Sequence, residues 1–315
     1  MAKVVLERCD KNMTQSKKGI FFAVFGTMMW GLSGNFAQLF FERTGLEATW
    51  LVSVRMLIAG ILLTLIAAFR VSRKQWHRYL QASNLLRLVI FALFGMVPSQ
   101  LTYFLAIQHG NASSATILQF LGPLFIIIYL ALKNWKLPRR IDVISIVMAL
   151  VGTVLVVTQG NLAKLAIAPL GLFWGIMAGV SQALYTLLPR KLLQEFDVVL
   201  VTGSSMVIGG LVFTPALVQE GSVHLDGLEI GYIAFIALMG TLIAYLFYLN
   251  SLNYLAPETT GMLSCFEPLT ATLVAVFFMG LQLQLWGALG IIMVLSTVFL
   301  QGLSTKKQNS LQDRC

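Results

Sequence analysis

Ten apolar runs follow one another along the 315-residue chain, at 19–41, 49–69, 88–108, 113–132, 141–157, 170–188, 198–218, 228–255, 259–278 and 284–303. A helix that crosses a hydrocarbon layer needs about 20 mostly apolar residues at about 1.5 Å each. The connections are too short to fold into an aqueous domain, so the chain reads as an all-α integral membrane protein of ten transmembrane helices. Composition agrees: 57% hydrophobic and 11% charged residues leave too little polar surface to cover a soluble globule. The net charge of +9 does not point to nucleic acid, because the basic residues sit in short clusters between apolar runs rather than along one stripe.

Those clusters set the expected orientation. With the amino terminus in the cytoplasm, the inner segments hold Lys3 to Lys18, Arg70 to Arg87, Lys133 to Arg140 (with Lys136 and Arg139), Arg190 with Lys191, and Lys306 to Arg314. The outer connections hold only Arg43 and Lys164, so both termini are expected to be cytoplasmic. The polar segment 1–16 is expected to be a loosely ordered tail, and 304–315 a second one. No small-residue cleavage signature follows the first run, which is therefore expected to be retained.

Shifting the chain by 145 positions without a gap lays its second half on its first. Gly95 falls on Gly240, Leu101 on Leu246, Tyr103 on Tyr248, Leu118 on Leu263, Pro123 on Pro268, Leu124 on Leu269 and Met148 on Met293. The repeats are expected at 17–158 and 168–303. Five helices per half is an odd number, so the second half enters the membrane from the opposite side. The result is two inverted five-helix repeats, an arrangement of secondary transporters whose site lies near the midplane where the halves meet.

The ninth run, Thr259 to Phe278, carries Glu267 beside Pro268 in an apolar stretch. A charged side chain at the centre of a span costs roughly 2.5 to 3.5 kcal/mol on insertion scales, so Glu267 needs a partner, a proton or a water-filled cavity. Pro268 has no N–H, which is expected to leave the Ser264 carbonyl without its helical donor and open to a ligand or water. Thr260, Ser264, Glu267 and Thr270 share an arc of roughly 120° and are expected to form one wall of a site. The fourth run repeats the irregularity as LQFLGPL, with Pro123 where the ninth has Pro268 and Gly122 where it has Glu267.

Glu267 is read as a proton carrier or as the counter-charge to a substrate cation, against the duller role of a structural glutamate paired inside the bundle. Arg55, about 9 Å into the second run, either grips a substrate carboxylate, snorkels to the outer interface, or pairs with Glu42 or Glu47. Gln100 and Tyr103 in the third run are answered by Tyr245 and Tyr248 in the eighth, and a tyrosine joins an apolar ring to one polar handle. Trp30, Trp174 and Tyr185 offer further ring faces, or serve as packing and interface anchors. Gln119 stands one turn before Pro123, as a site residue or a helix-to-helix hydrogen bond. Gly171, Gly175 and Gly179 at four-residue spacing read as close helix packing. The fifth and tenth runs have almost no polar side chains midway and are expected to lie away from the pathway, which runs one, three, four, six, eight and nine should line.

With these residues in place, the chain resembles the EamA family of the drug/metabolite transporter superfamily over nearly its whole length. The resemblance rests on the two five-helix halves, Trp30 and Gly31, Arg55 within VSVRMLIAG, Pro123, and Glu267 with Pro268. It implies a ten-helix transporter of a cell membrane that moves small metabolites, often by export of amino acids and related compounds. The chain departs from the family where many members carry Gly-Glu pairs: Lys136 stands at one such place, and Leu281 follows Gly280 at the other. No role of those glutamates carries over.

Other chemistry finds little support. His77, His109 and His224 share no ligand spacing, Cys9, Cys265 and Cys315 form no CxxC, and the sequon at Asn111 lies in a tight connection. No P-loop, GxSxG or HExxH motif occurs, so no cofactor or metal is expected. The expected partners are a small-molecule substrate and the lipid bilayer, with no nucleic acid. Two other classes stay open: an intramembrane enzyme with Glu267 as general acid or base, which lacks a second group at matched depth because Asp142 lies at a run's end, and a passive channel.

Overall fold

A computed structural model describes residues 2–135, 140–161, 166–220, 223–255, 260 and 263–312. Lys136, Arg139, Lys164, Thr259, Arg314 and Cys315 lie outside the described residues. The described residues form helices and connections and contain no strand.

In chain order the helices are α1 (Ala2–Thr44), α2 (Ala48–Arg70), the short α3 (Arg73–Tyr79), α4 (Ala82–Gln108), α5 (Ala112–Gln119), α6 (Gly122–Asn134), α7 (Arg140–Thr158) and α8 (Pro169–Leu187). They continue with α9 (Arg190–Glu195), α10 (Val198–Val212), α11 (Thr214–Gln219), α12 (Gly227–Ser251), α13 (Phe266–Phe278) and α14 (Leu285–Gln312). Six helical segments are long and apolar enough to cross a membrane, and four shorter apolar helices, at Val143–Thr158, Val198–Val212, Phe266–Phe278 and Leu285–Thr297, coincide with the fifth, seventh, ninth and tenth apolar runs. The polar segment expected to be a loose tail instead continues α1 as helix from Ala2.

The halves pack in matching ways. α1 lies against α12 and α13, and its counterpart α8 lies against α4, α5 and α6. The remaining large contacts pair equivalent helices across the halves, α2 with α10 and α7 with α14. α14 touches little except α7, so the fifth and tenth runs form a pair at the edge of the bundle, as their apolar middles suggest. In that pair a Cβ at Gly152 would stand 2.8 Å from the Gly290 carbonyl oxygen, so these two backbones meet directly.

Small residues also set the approach at the centre. A methyl added to Gly31 would collide with the Glu267 carbonyl oxygen, so this glycine lets α1 lie on the first turn of α13. The first half reverses the sizes. There Gly122, the counterpart of Glu267, receives Gln182 of α8, whose Cγ would be 3.0 Å from an added Cβ. The glycines of α8 pack as their spacing implies, Gly171 against the His109 carbonyl at 2.7 Å and Gly179 against the Leu118 carbonyl at 3.0 Å, measured from a built Cβ.

Both proline-bearing spans are broken at matched places. The fourth interrupts at Phe120 and Leu121, between α5 and α6, and the ninth at Ser264 and Cys265, just before α13. The Ser264 carbonyl is nevertheless not free: it accepts the Glu267 N–H at 3.0 Å, a three-residue bond that tightens the turn and replaces the donor Pro268 lacks. A second matched irregularity was not legible in the sequence. Residues Ala92–Met96 of α4 and Phe235–Ile243 of α12 wind as π-helix, and the 145-residue shift places the first inside the second.

Ion pairs join the halves at both ends of the bundle. Arg43 at the end of α1 pairs with Asp226 and Glu229 at the start of α12. At the other end of α2, a helix of 23 residues and so roughly 35 Å long, Arg78 and Arg87 pair with Glu195 at 3.5 and 3.7 Å. In each case the first half supplies the arginines and the second the carboxylates. Asp226 is held below the ordinary aspartate range, first by hydrogen bonding to the Glu229 backbone and then by Arg43. A lowered folded-state pKa gives stability that is present above the unfolded value and lost as pH falls through the folded one. Thermal unfolding between pH 7 and 3 should therefore show an acid-side fall, below about pH 4, that is flatter in D226N.

Candidate functional site

Six helices bring their polar and aromatic side chains to one place between the halves. α1 supplies Trp30, α2 Arg55, α4 Gln100 and Tyr103, α8 Tyr185, α12 Tyr245 and Tyr248, and α13 Glu267. On α4 and α12 the site residues lie just past the π stretches. Such a stretch adds a residue to the turn and so rotates every later side chain by about 100° relative to a regular helix. This re-aiming brings Tyr103 and Tyr248, equivalent by sequence, toward the same centre.

The Trp30 ring meets Tyr245 edge-on at 5.0 Å and Tyr248 at 4.9 Å between centroids. Tyr185 and Gln100 are neighbours of Tyr245, and Phe91 backs Tyr185 at 5.6 Å. Tyr103 shares a 3.1 Å hydrogen bond with Thr116 of α5, which in turn donates to the Ala112 carbonyl at 2.7 Å. The Tyr103 hydroxyl reaches α1 as well, where only a glycine fits: a Cβ at Gly34 would lie 2.6 Å from it.

Two ionisable groups lie beside these rings. Tyr103 and Tyr245 each lie in the field of both Arg55 and Glu267, and Tyr248 in that of Glu267. Arg55 is 5% exposed and lies 4.4 Å over the Phe104 ring. It neither snorkels nor pairs with Glu42 or Glu47, so two of the three expected roles fall away; its place on the helix turns it inward, and Glu42 accepts from Gln38 at 2.8 Å instead. Among the described residues no ion pair includes Arg55 or Glu267. Glu267 is surrounded by protein but its side chain keeps accessible surface, as do those of Trp30, Gln100, Tyr185 and Tyr248. We read this cluster of deep, partly covered groups as the lining of a chamber.

Other candidates are placed elsewhere. Thr260 is buried and shares a hydrogen bond with Ser251 at 3.3 Å, and Thr270 donates to the Phe266 carbonyl at 2.7 Å, so neither hydroxyl of the expected polar wall is free. Ser264 is at the break itself, one turn from the chamber. Gln119, Pro123 and Pro268 mark the two breaks, and no hydrogen bond joins Gln119 to the cluster among the described residues. Trp174 stacks edge-on with Phe173 at 5.0 Å against the core, eleven residues before Tyr185 on α8. Asn111 caps α5 by accepting the Ser114 N–H at 2.8 Å. Sequence reasoning missed Asn35, buried on α1, whose amide donates to the carbonyls of Gly31 at 3.1 Å and Ala271 at 3.2 Å and so fastens α1 to α13. A lone amide in an apolar run, four residues after Gly31, was the available signal.

Two matched helical halves that bring Arg55 and Glu267 together, with no ion pair to either among the described residues, fit a multi-pass membrane protein of the transporter class. The chain belongs to the EamA-like transporter family, whose model matches residues 17–158 and again 169–302. It is 32% identical over 297 residues, 94% of this chain and 99% of the relative, to an uncharacterized inner membrane transporter, YicL, of Salmonella typhimurium. It is also 27% identical to an uncharacterized transporter, YwfM, of Bacillus subtilis, over 92% of this chain and 96% of the relative. A crystal structure shares the fold with a TM-score of 0.63, covering 94% of this chain and 99% of that one at 16% identity.

Proposed function

We propose that the protein is a secondary transporter of ten helices in two inverted halves, with both termini cytoplasmic. It exports a small organic metabolite, an amino acid or related compound, by alternating access, with Glu267 coupling the movement to protons. The observation that carries this reading is the cluster where α1, α2, α4, α8, α12 and α13 meet, holding a partly accessible carboxylate with no basic partner among the described residues. Trp30, Tyr185, Tyr245 and Tyr248 receive the apolar part of the cargo, while Gln100 and Tyr103 orient its polar part. The breaks at Pro123 and Pro268 are the matched helix interruptions that such carriers place around their sites. Exposed ion pairs between the halves at both ends, each weak enough to break in turn, suit a scaffold that opens one end at a time. Metabolite profiling of medium and cells, with and without the protein, tests this: a small set of compounds should shift from cell to medium. Unchanged profiles on both sides would argue against it.

A further inference from the structure

Arg55 is the most demanding group in the chamber. Arg55 is 5% exposed, and its Nε is buried with no hydrogen-bond partner. The face of Phe104 lies 4.4 Å from its guanidinium, Tyr103 and Tyr245 are close by, and among the described residues it takes part in no ion pair. A carboxyl in this position can shed its charge by taking a proton; a guanidinium cannot release its own. A buried cation with an unpartnered donor and no ion pair among the described residues is therefore incomplete without a ligand.

We propose that Arg55 is the receptor for a carboxylate on the cargo, gripped end-on by its terminal nitrogens. The cargo is then a small organic acid whose apolar body lies against Trp30, Tyr245 and Tyr248. A single guanidinium matches a single negative charge, which favours a monocarboxylate over a phosphate ester with its higher charge. The word cargo rests on the transport reading; the carboxylate site does not.

The test uses three probes with one body and three heads: 3-phenylpropionate, 3-phenylpropionamide and 3-phenylpropylamine. Equilibrium binding to the purified full chain should favour the carboxylate over the amide by at least tenfold. R55Q and R55M should erase that preference, and R55K should keep part of it, since it keeps the charge without the fork. Ligand-free R55M should unfold at the same temperature as wild type or higher, because it removes an uncompensated charge; an Arg55 that only braces Phe104 would give a lower one. If the glutamine and methionine variants fail to fold, head-group preference in wild type and R55K still decides. Preference for the amine, no preference among the heads, or a carboxylate preference that survives in R55Q overturns the proposal. Counterflow of the same probes in proteoliposomes separates the two readings. Binding that depends on Arg55 without counterflow removes transport alone, and counterflow indifferent to the head group removes the carboxylate site alone.

Discussion

Replacing Glu267 with glutamine is expected to reduce accumulation driven by a pH gradient to background while leaving the protein folded and inserted. Glutamine keeps the volume and hydrogen-bonding reach of the side chain but cannot exchange a proton. Insertion should not suffer, since a charge penalty is removed. Packing should not suffer either, because the contact between α1 and α13 runs through Gly31 and the Glu267 carbonyl oxygen rather than its side chain. Substrate exchange at equal pH separates two roles. A proton carrier leaves exchange intact in the variant, whereas a counter-charge to a substrate cation loses exchange as well, through weakened binding. Wild-type rates of both processes at several pH values would show that Glu267 does neither.

The second large effect is mechanical. Cysteines in place of Arg43 and Asp226, in a background without Cys9, Cys265 and Cys315, put a bridgeable pair where the halves meet at one end; R78C with E195C does so at the other. Bridging either pair with a short thiol cross-linker should stop turnover, because one end can no longer open, and a reductant should restore it. Substrate should still bind from the unbridged end. Full turnover in both cross-linked proteins would mean that these contacts do not separate, and a passive pore would then become the better account. Neutralising the same residues singly should do far less, as the pairs are exposed.

Much of the architecture was readable from residues because a bilayer imposes length: apolar runs, basic clusters and a gapless self-match at 145 positions are one-dimensional facts. Rotation and local winding were not. The depth of Arg55 followed from residue counting, but whether it snorkelled, paired or turned inward over Phe104 depended on which helix lay beside α2. Pro268 alone suggests a freed Ser264 carbonyl; the chain instead tightens so that the Glu267 N–H replaces the lost donor at 3.0 Å. The π stretches in α4 and α12 were not read from the sequence: Ala92–Met96 and Phe235–Ile243 are apolar but for Gly95, Gly240 and Thr241, residues equally at home in a regular membrane helix. The two stretches lie two turns or less before Tyr103 and Tyr248, whose aim they rotate. Thr260 and Thr270 were misassigned to a wall for a simpler reason: a hydroxyl in an apolar helix bonds to a nearby acceptor before it waits for a ligand.

The most direct measurement is counterflow in proteoliposomes of whichever metabolite the profiling identifies. Vesicles loaded with unlabelled compound should take up labelled compound transiently above equilibrium when they contain the wild-type protein, and an inward or outward pH gradient should shift that uptake in wild type but not in E267Q. Uptake that only approaches equilibrium, with the same time course whether or not the vesicles are preloaded, would contradict a carrier with a central alternating site.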